Sequence, residues 1–180
     1  MGARGRVLGA ILAGGRSSRF GSDKAVARLG DVTLIEHVKR SLAPQVDAVV
    51  VCGRSAPEAG YLVDRPAPDL GPLGGLAAAL RHARDHGFVA VVSVGCDTPI
   101  LPDDLVRTLG ATEGPAVVTA LPIVGYWPAS LLGDIDAFLD RGGTRAVRAW
   151  AAAVKARPVC LSYDIPNINT PADLMRLEPV

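Results

Sequence analysis

The sequence predicts an α/β protein: a three-layer, Rossmann-like fold with helices on both faces of a mainly parallel sheet, as a single domain over residues 1–180. Short apolar runs alternate with longer helical patterns, as they do in chains that return each parallel strand through a crossover helix. The strongest run, Phe88 to Val94 (FVAVVSV), is almost continuously apolar, which suits a strand covered on both faces. Glycine-rich turns follow several of these runs, at the strand ends where open α/β sheets carry their ligands. A chain of 180 residues has the length of one domain and buries roughly 70% of its unfolded surface.

Val7 to Leu12 (VLGAIL) reads as the first buried strand. Thr33 and Glu36 form a T-x-x-E capping box that opens a helix running to about Leu42, where Pro44 stops it. Ala48 to Cys52 is the second strand, closed by Gly53, and Tyr61 to Val63 a shorter third. Gly71-Pro72-Leu73-Gly74-Gly75 is a turn into a helix from about Leu76 to His86, with Gly87 where a C-cap glycine belongs. After Phe88 to Val94, Pro102 to Leu109 reads as a helix, Ala116 to Leu121 as a strand, and Ala129 to Leu139 as a helix. Thr144 to Ala153 is helical, Val159 to Leu161 a last short strand, and Pro171 to Leu177 a closing helix.

Composition excludes several classes. With 19 Lys and Arg against 18 Asp and Glu, bulk charge points to neither a nucleic-acid nor a membrane surface. No window approaches the ~18 continuous apolar residues of a membrane span. Cys52, Cys96 and Cys160 are odd in number and far apart, which indicates neither a disulfide framework nor a zinc site and points to the cytoplasm. The N-terminal segment is nevertheless locally basic: before residue 30 it carries Arg4, Arg6, Arg16, Arg19, Lys24 and Arg28 against Asp23 alone.

That basic segment contains the string Leu12-Ala13-Gly14-Gly15-Arg16-Ser17-Ser18-Arg19-Phe20-Gly21-Ser22-Asp23-Lys24. Adjacent glycines let backbone N–H groups approach an anion without Cβ obstruction, and Arg19 and Lys24 add charge suited to a triphosphate. It is neither a P-loop nor a dinucleotide fingerprint. The string resembles the LAGG-x-S-x-R-M-G-x-D-K signature of the molybdenum cofactor guanylyltransferases, with Phe20 in place of the usual Met. Further motifs recur in the family's order: Gly71-Pro72-Leu73, Cys96-Asp97-Thr98-Pro99, and Asn167-Ile168-Asn169-Thr170-Pro171 followed by Asp173.

The resemblance implies a nucleotidyltransferase fold and a set of roles. Arg19, Lys24 and Asp97 are the expected catalytic groups, and Asp97 the Mg²⁺ ligand. Leu12, Ala13, Gly14, Gly15, Lys24, Cys52, Asp64, Gly71 and Asp97 are the expected nucleotide contacts, and Asn167 and Asn169 the acceptor-side candidates. The double glycine implies GTP, since relatives using CTP carry Ala at one of the two positions. The chain departs from the family at Cys52, where Asn is common and makes a better hydrogen-bond partner. It also departs in the 116–132 region, which is shorter than usual.

The residues read independently agree in part. Asp97 leaves the strongest strand at its C-terminal end, where one carboxylate suits Mg²⁺, or equally caps the turn before Pro99. Thr170 and Pro171 are an ordinary helix start. Arg141, Arg145 and Arg148 form a basic cluster that suits an anionic acceptor or a solvated helix start alike. His37, His82 and His86 form no triad and read as structural. The activity implied is transfer of GMP from GTP to the phosphate of Mo-molybdopterin, with release of pyrophosphate. Two alternatives stand beside it: a related enzyme using CTP or another phosphorylated acceptor, and a non-catalytic GTP-binding module. The resemblance also implies transient contact with proteins that make or receive the cofactor.

Overall fold

A computed structural model describes residues 5–14, 27–53 and 60–177. Strand β1 (Val7–Leu12) is buried along its whole length. A hairpin of β2 (Arg28–Leu29) and β3 (Val32–Thr33) follows, then helix α1 (Leu34–Leu42) and strands β4 (Ala48–Cys52) and β5 (Tyr61–Leu62). Helix α2 (Pro72–Asp85) leads to β6 (Ala90–Gly95), and α3 (Leu105–Leu109) to β7 (Ala116–Val118) and β8 (Gly125–Pro128). The chain ends with α4 (Leu132–Asp140), α5 (Val147–Ala153), β9 (Arg157–Val159) and α6 (Pro171–Leu177).

Seven strands form one sheet in the order β5-β4-β1-β6-β8-β7-β9, and only β8 runs antiparallel to its neighbours. The predicted, mainly parallel sheet is therefore the one observed. Two hydrophobic clusters, one on each face, bury the sheet between helices. Leu8, Leu12, Leu76, Leu80, Trp127 and Trp150 belong to one; Ile11, Val38, Leu42, Val92, Val94 and Leu105 belong to the other. Alternation along β1 sends Leu8 and Leu12 to one cluster and Ile11 to the other. Thr33 caps α1 as read, its Oγ1 accepting the Glu36 N–H at 3.3 Å, which is the N-cap half of the predicted box. Such a cap is worth about 1 kcal/mol.

Several sequence expectations need correction, among them the starts of α3 at Leu105 and α5 at Val147, each three residues later than read. Helix α2 begins at Pro72, with the glycine pair inside its first turn, because Gly71 alone (φ +66°) turns the chain. The 116–121 strand ends at Val118, and β9 lies two residues earlier than expected. Strand β8 has no counterpart in the sequence reading, since its Gly and Pro resemble turn punctuation. Gly125 is needed inside the sheet because a Cβ there would stand 2.5 Å from the Trp127 indole. Trp127 is fully buried, and its Nε1–H donates to Ser93 Oγ at 2.8 Å, which in turn donates to the Ile123 carbonyl at 2.7 Å. That chain of bonds satisfies the polar atoms the strand pair buries. Strand β9 closes the sheet at one edge and carries Pro158 at its centre.

Candidate active site

Strands β1, β4 and β6 run parallel, so their C-terminal ends open on one edge of the sheet. In register, Leu12 faces Cys52 on one side and Gly95 on the other. Backbone bonds extend the seam beyond the strands: Ala13 N–H donates to the Cys52 carbonyl at 2.9 Å, and Cys96 N–H to the Leu12 carbonyl at 3.2 Å. Gly14 and Asp97, each two residues past the Leu12–Gly95 pair, therefore leave the sheet side by side. The next strand returns to opposite flanks of β1 here, the topological switch point at which doubly wound sheets bind ligands.

Gly14 meets Gly53 backbone to backbone. A Cβ on Gly53, whose φ is +83°, would stand 2.5 Å from Gly14 Cα and 2.6 Å from its nitrogen. Asp64 is buried beside this contact. Its Oδ2 accepts the Leu70 N–H at 3.1 Å, while Oδ1 is buried without a hydrogen-bond partner. A Cβ on Gly14 would lie 3.5 Å from the Asp64 carboxylate oxygens, and one on Gly74 2.9 Å from Asp64 Cβ and Cγ. Glycines from the β1 end, the β4 end and the first turn of α2 thus build one slot around a single carboxyl group. Desolvation there raises the Asp64 pKa, partly countered by the Leu70 N–H and reinforced by the Asp69 charge. The unpaired oxygen is a buried polar atom whose hydrogen-bonding capacity the protein does not use.

Cys52, expected among the nucleotide contacts, takes a different place. Its side chain is fully inaccessible and packs in the core below the slot, 3.0 Å from where a Cβ on Gly75 would stand. Burial, then the Asp64 charge, pushes its thiol pKa upward. Leu12 is likewise a core residue, so both reach the site only through their backbones.

Asp97 follows Gly95 in a tight turn held by Thr98, whose Oγ1–H donates to the Gly95 carbonyl at 2.7 Å. Thr98 is fully buried and had not been singled out in the sequence; its position after a candidate carboxylate was the available signal. A Cβ on Gly95 would collide with Asp97 Oδ1, so glycine keeps room for that carboxylate. The acceptor-side segment joins here. Ile168 is fully buried, and its N–H donates to the Asp97 carbonyl at 2.9 Å. Asn167 and Asn169 flank this tether, and the Asn167 Oδ1 is buried without a hydrogen-bond partner. Asp173 accepts the Asn169 N–H, the Thr170 N–H and the Thr170 hydroxyl, all within 3.0 Å, and those bonds lower its pKa.

Gly15, Arg19 and Lys24 lie outside the described residues. The exposed arginines of the 141–148 stretch diverge in their uses. Arg145 Nη1 donates to the Asp69 carbonyl at 3.5 Å, while Arg148 lines a small hollow with Lys155 between α5 and the β7–β9 edge. His82 and His86 stack on one another at 3.9 Å, and His37 bonds the Leu29 carbonyl, which fits their structural reading.

The signature of the MobA-like NTP transferase domain matches residues 9–157. The chain belongs to the MobA-like NTP transferase family. Curated relatives in this family include a molybdenum cofactor guanylyltransferase of Rhodobacter capsulatus, 39% identical over 96% of this chain and 95% of its own. Another, from Rhizobium leguminosarum bv. trifolii, is 36% identical over 97% of this chain and 93% of its own. Among solved structures, the molybdopterin-guanine dinucleotide biosynthesis protein A of Archaeoglobus fulgidus superposes with a TM-score of 0.76 at 23% identity. That match covers 95% of this chain and 96% of the other. A cytidylyltransferase of Thermus thermophilus shares the fold at a TM-score of 0.69 and 17% identity, over 97% and 98% of the two chains. The MobA-like fold thus serves nucleotidyltransferases with different acceptors.

Proposed function

We propose that this protein is a molybdenum cofactor guanylyltransferase: it transfers GMP from GTP to the terminal phosphate of Mo-molybdopterin and releases pyrophosphate. The observation that carries the reading is the tether of Ile168 to Asp97. It joins the Asn167–Asn169 segment to the strand end beside the glycine slot, which supports a reading in which acceptor and nucleotide phosphates meet there. The curated relatives at 36% and 39% identity carry the corresponding name.

In this reading an acceptor phosphate oxygen attacks the α-phosphorus in line. One P–O bond forms, the bond to the bridging oxygen breaks, and the electron pair leaves with pyrophosphate. The attacking phosphate is already ionised near neutral pH, so the step needs no strong base. Backbone groups at Ala13 and Gly14 approach the nucleotide, and the unpaired Asp64 oxygen accepts one of its N–H or O–H donors. Arg19 and Lys24 supply positive charge to the phosphates.

The residues present fit magnesium. Among the described residues no three His, Cys, Asp or Glu side chains cluster, and Mg²⁺ is commonly held by one or two carboxylates with phosphate oxygens and water. Asp97, whose carboxylate occupies the room Gly95 leaves, would hold it. The ion would neutralise charge on the transferred group and the leaving pyrophosphate. We place the reaction in the cytoplasm, which suits three cysteines that form no disulfide. The full span of 1–180 is read as one nucleotidyltransferase unit that receives its acceptor through transient contact with partner proteins.

The test is pyrophosphate release with Mg²⁺ and each ribonucleoside triphosphate, with and without molybdopterin. Release that needs both GTP and molybdopterin is the expected result. A preference for CTP would overturn the nucleotide assignment, and GTP binding without molybdopterin-dependent release would overturn the acceptor.

A further inference from the structure

Between the Asp97 turn and α3 the chain runs through residues 99–104 without regular structure. Pro99 and Pro102 have no N–H, so this stretch cannot hold itself by a backbone ladder. Pro99 and Leu101 are nevertheless buried, and buried backbone must find its polar partners somewhere. It finds them on the last turn of α1 and on the turn of 3-10 helix that follows, Ala43–Gln45.

Ser41 Oγ–H donates to the Pro99 carbonyl at 3.2 Å, and the same oxygen accepts the Leu101 N–H at 3.4 Å. Gln45 uses both ends of its amide. Its Nε2 donates to the Pro102 carbonyl at 2.8 Å, and its Oε1 accepts the Val106 N–H at 3.1 Å. Both residues stand on anchored backbone. At the start of α1 the Leu34 N–H donates to the Ala27 carbonyl, and just past Gln45 the Asp47 Oδ2 accepts the Val7 N–H of β1 at 2.7 Å. Ile35, Val38 and Leu42 of α1 pack in the same cluster as Leu101 and Leu105.

On the other side of Asp97 the restraints come from β6 and the C-terminal segment. The Thr98 N–H and hydroxyl both donate to the Gly95 carbonyl, and the Ile168 N–H donates to the Asp97 carbonyl. The turn is thus held from β6 before it and from α1 after it. We propose that Ser41 and Gln45 are positioning residues for the transfer reaction: by fixing residues 99–106 they hold the turn that presents the Asp97 carboxylate. The proposal rests on the function given above and adds two residues outside the signature motifs. Neither touches a reacting atom. Misplacing a catalytic group costs rate more than affinity, because ground-state binding is shared among many contacts.

Three variants of the full chain test this. In molybdopterin-dependent pyrophosphate release, Ser41→Ala and Gln45→Met should each lower kcat by about tenfold, with the KM for GTP within about twofold of the wild type. Ser41→Thr keeps the hydroxyl and should stay within about twofold in kcat. Hydrogen exchange without ligands gives a readout independent of activity. The Ile168 amide should exchange about tenfold faster in Ser41→Ala, while the Arg157 amide, bonded to the Pro115 carbonyl at the sheet edge, should not change. Faster exchange confined to the Leu101 and Val106 amides, with kcat intact, would make both residues merely structural and overturn the proposal. If Ser41→Ala and Gln45→Met fail to fold, the wild type decides. GTP with Mg²⁺ should slow exchange at Leu101 and Val106 more than at Arg157, and equal slowing would overturn the proposal. Absence of molybdopterin-dependent release from the wild type would overturn the function, and the positioning role with it.

Discussion

The two halves of the sheet handle their ligands by different means. Around β1, β4 and β6, the candidate nucleotide slot is made of backbone. Gly14, Gly53, Gly74 and Gly75 converge on Asp64, and a Cβ on any of the four would meet a neighbour within 3.1 Å. Around β7, β8 and β9 the strands are three or four residues long, and a cleft beside them is walled by side chains from turns and loops. A triphosphate has a fixed shape that N–H groups and charge can read. An acceptor varies in shape, and side chains can be exchanged to follow it without disturbing a strand.

The sharpest way to break this comparison is at the point where the halves meet. Asp97→Ala should lower turnover by on the order of 10²-fold or more, as loss of a preorganised electrostatic group does. The fold should survive, because Ile168 bonds the Asp97 backbone and not its side chain. Wild-type pyrophosphate release from a folded variant would remove Asp97 from the site.

Next in size is the backbone contact. Gly53→Ala combines a positive φ with a Cβ driven into Gly14, so about 3 kcal/mol of stability should be lost in urea unfolding. Gly30 has a similar φ of +62° but nothing within 4 Å of its Cβ, so Gly30→Ala isolates the conformational cost alone, about 1 kcal/mol. Equal losses in the two variants would show that close approach at Gly14 is not what selects glycine. Lys24→Ala should weaken GTP binding by about 1.5–3 kcal/mol, the worth of a charge-assisted contact, with no change in the affinity for molybdopterin. Equal weakening of both ligands in calorimetry would blur the division between the halves.

The smallest effect is a slope. Desolvation raises the Asp64 pKa, so between the ordinary Asp value and the raised one the folded protein holds a proton that the unfolded chain has released. Stability is therefore lost as pH rises from the ordinary Asp range through the folded value. Asp64→Asn should flatten that part of an unfolding series, above about pH 4. An unchanged slope would mean that the slot does not desolvate the carboxyl group.

The same division decides what was legible in the sequence. Val7 to Leu12 and Ala48 to Cys52 could be read from residues alone, because a buried parallel strand leaves a continuous apolar run and its end is marked by glycine. The glycine slot was half legible: Gly53 and Asp64 were each noticed, but their contact depends on three strand ends coming together. The Cys52 side chain lies in the core, because a residue at a strand end faces either the open edge or the helix below, and spacing does not say which. Strand β8 escaped because Gly125 and Pro128 carry the marks of a turn. Only the packing of Trp127 against that glycine explains why a strand needs it there. The β2–β3 hairpin escaped for a simpler reason, since two residues show no period.

The short β9 also bears on how copies of the chain behave toward each other. Arg157 donates to the Pro115 carbonyl and the Val159 carbonyl accepts from Thr119, so both turn their hydrogen-bonding groups inward to β7. The outward position between them is Pro158, which has no N–H to offer. An exposed strand edge is a template on which further chains can align and aggregate, and a missing donor at its midpoint blunts that template. One proline thus lets a mixed sheet end in solvent without a partner to cover it.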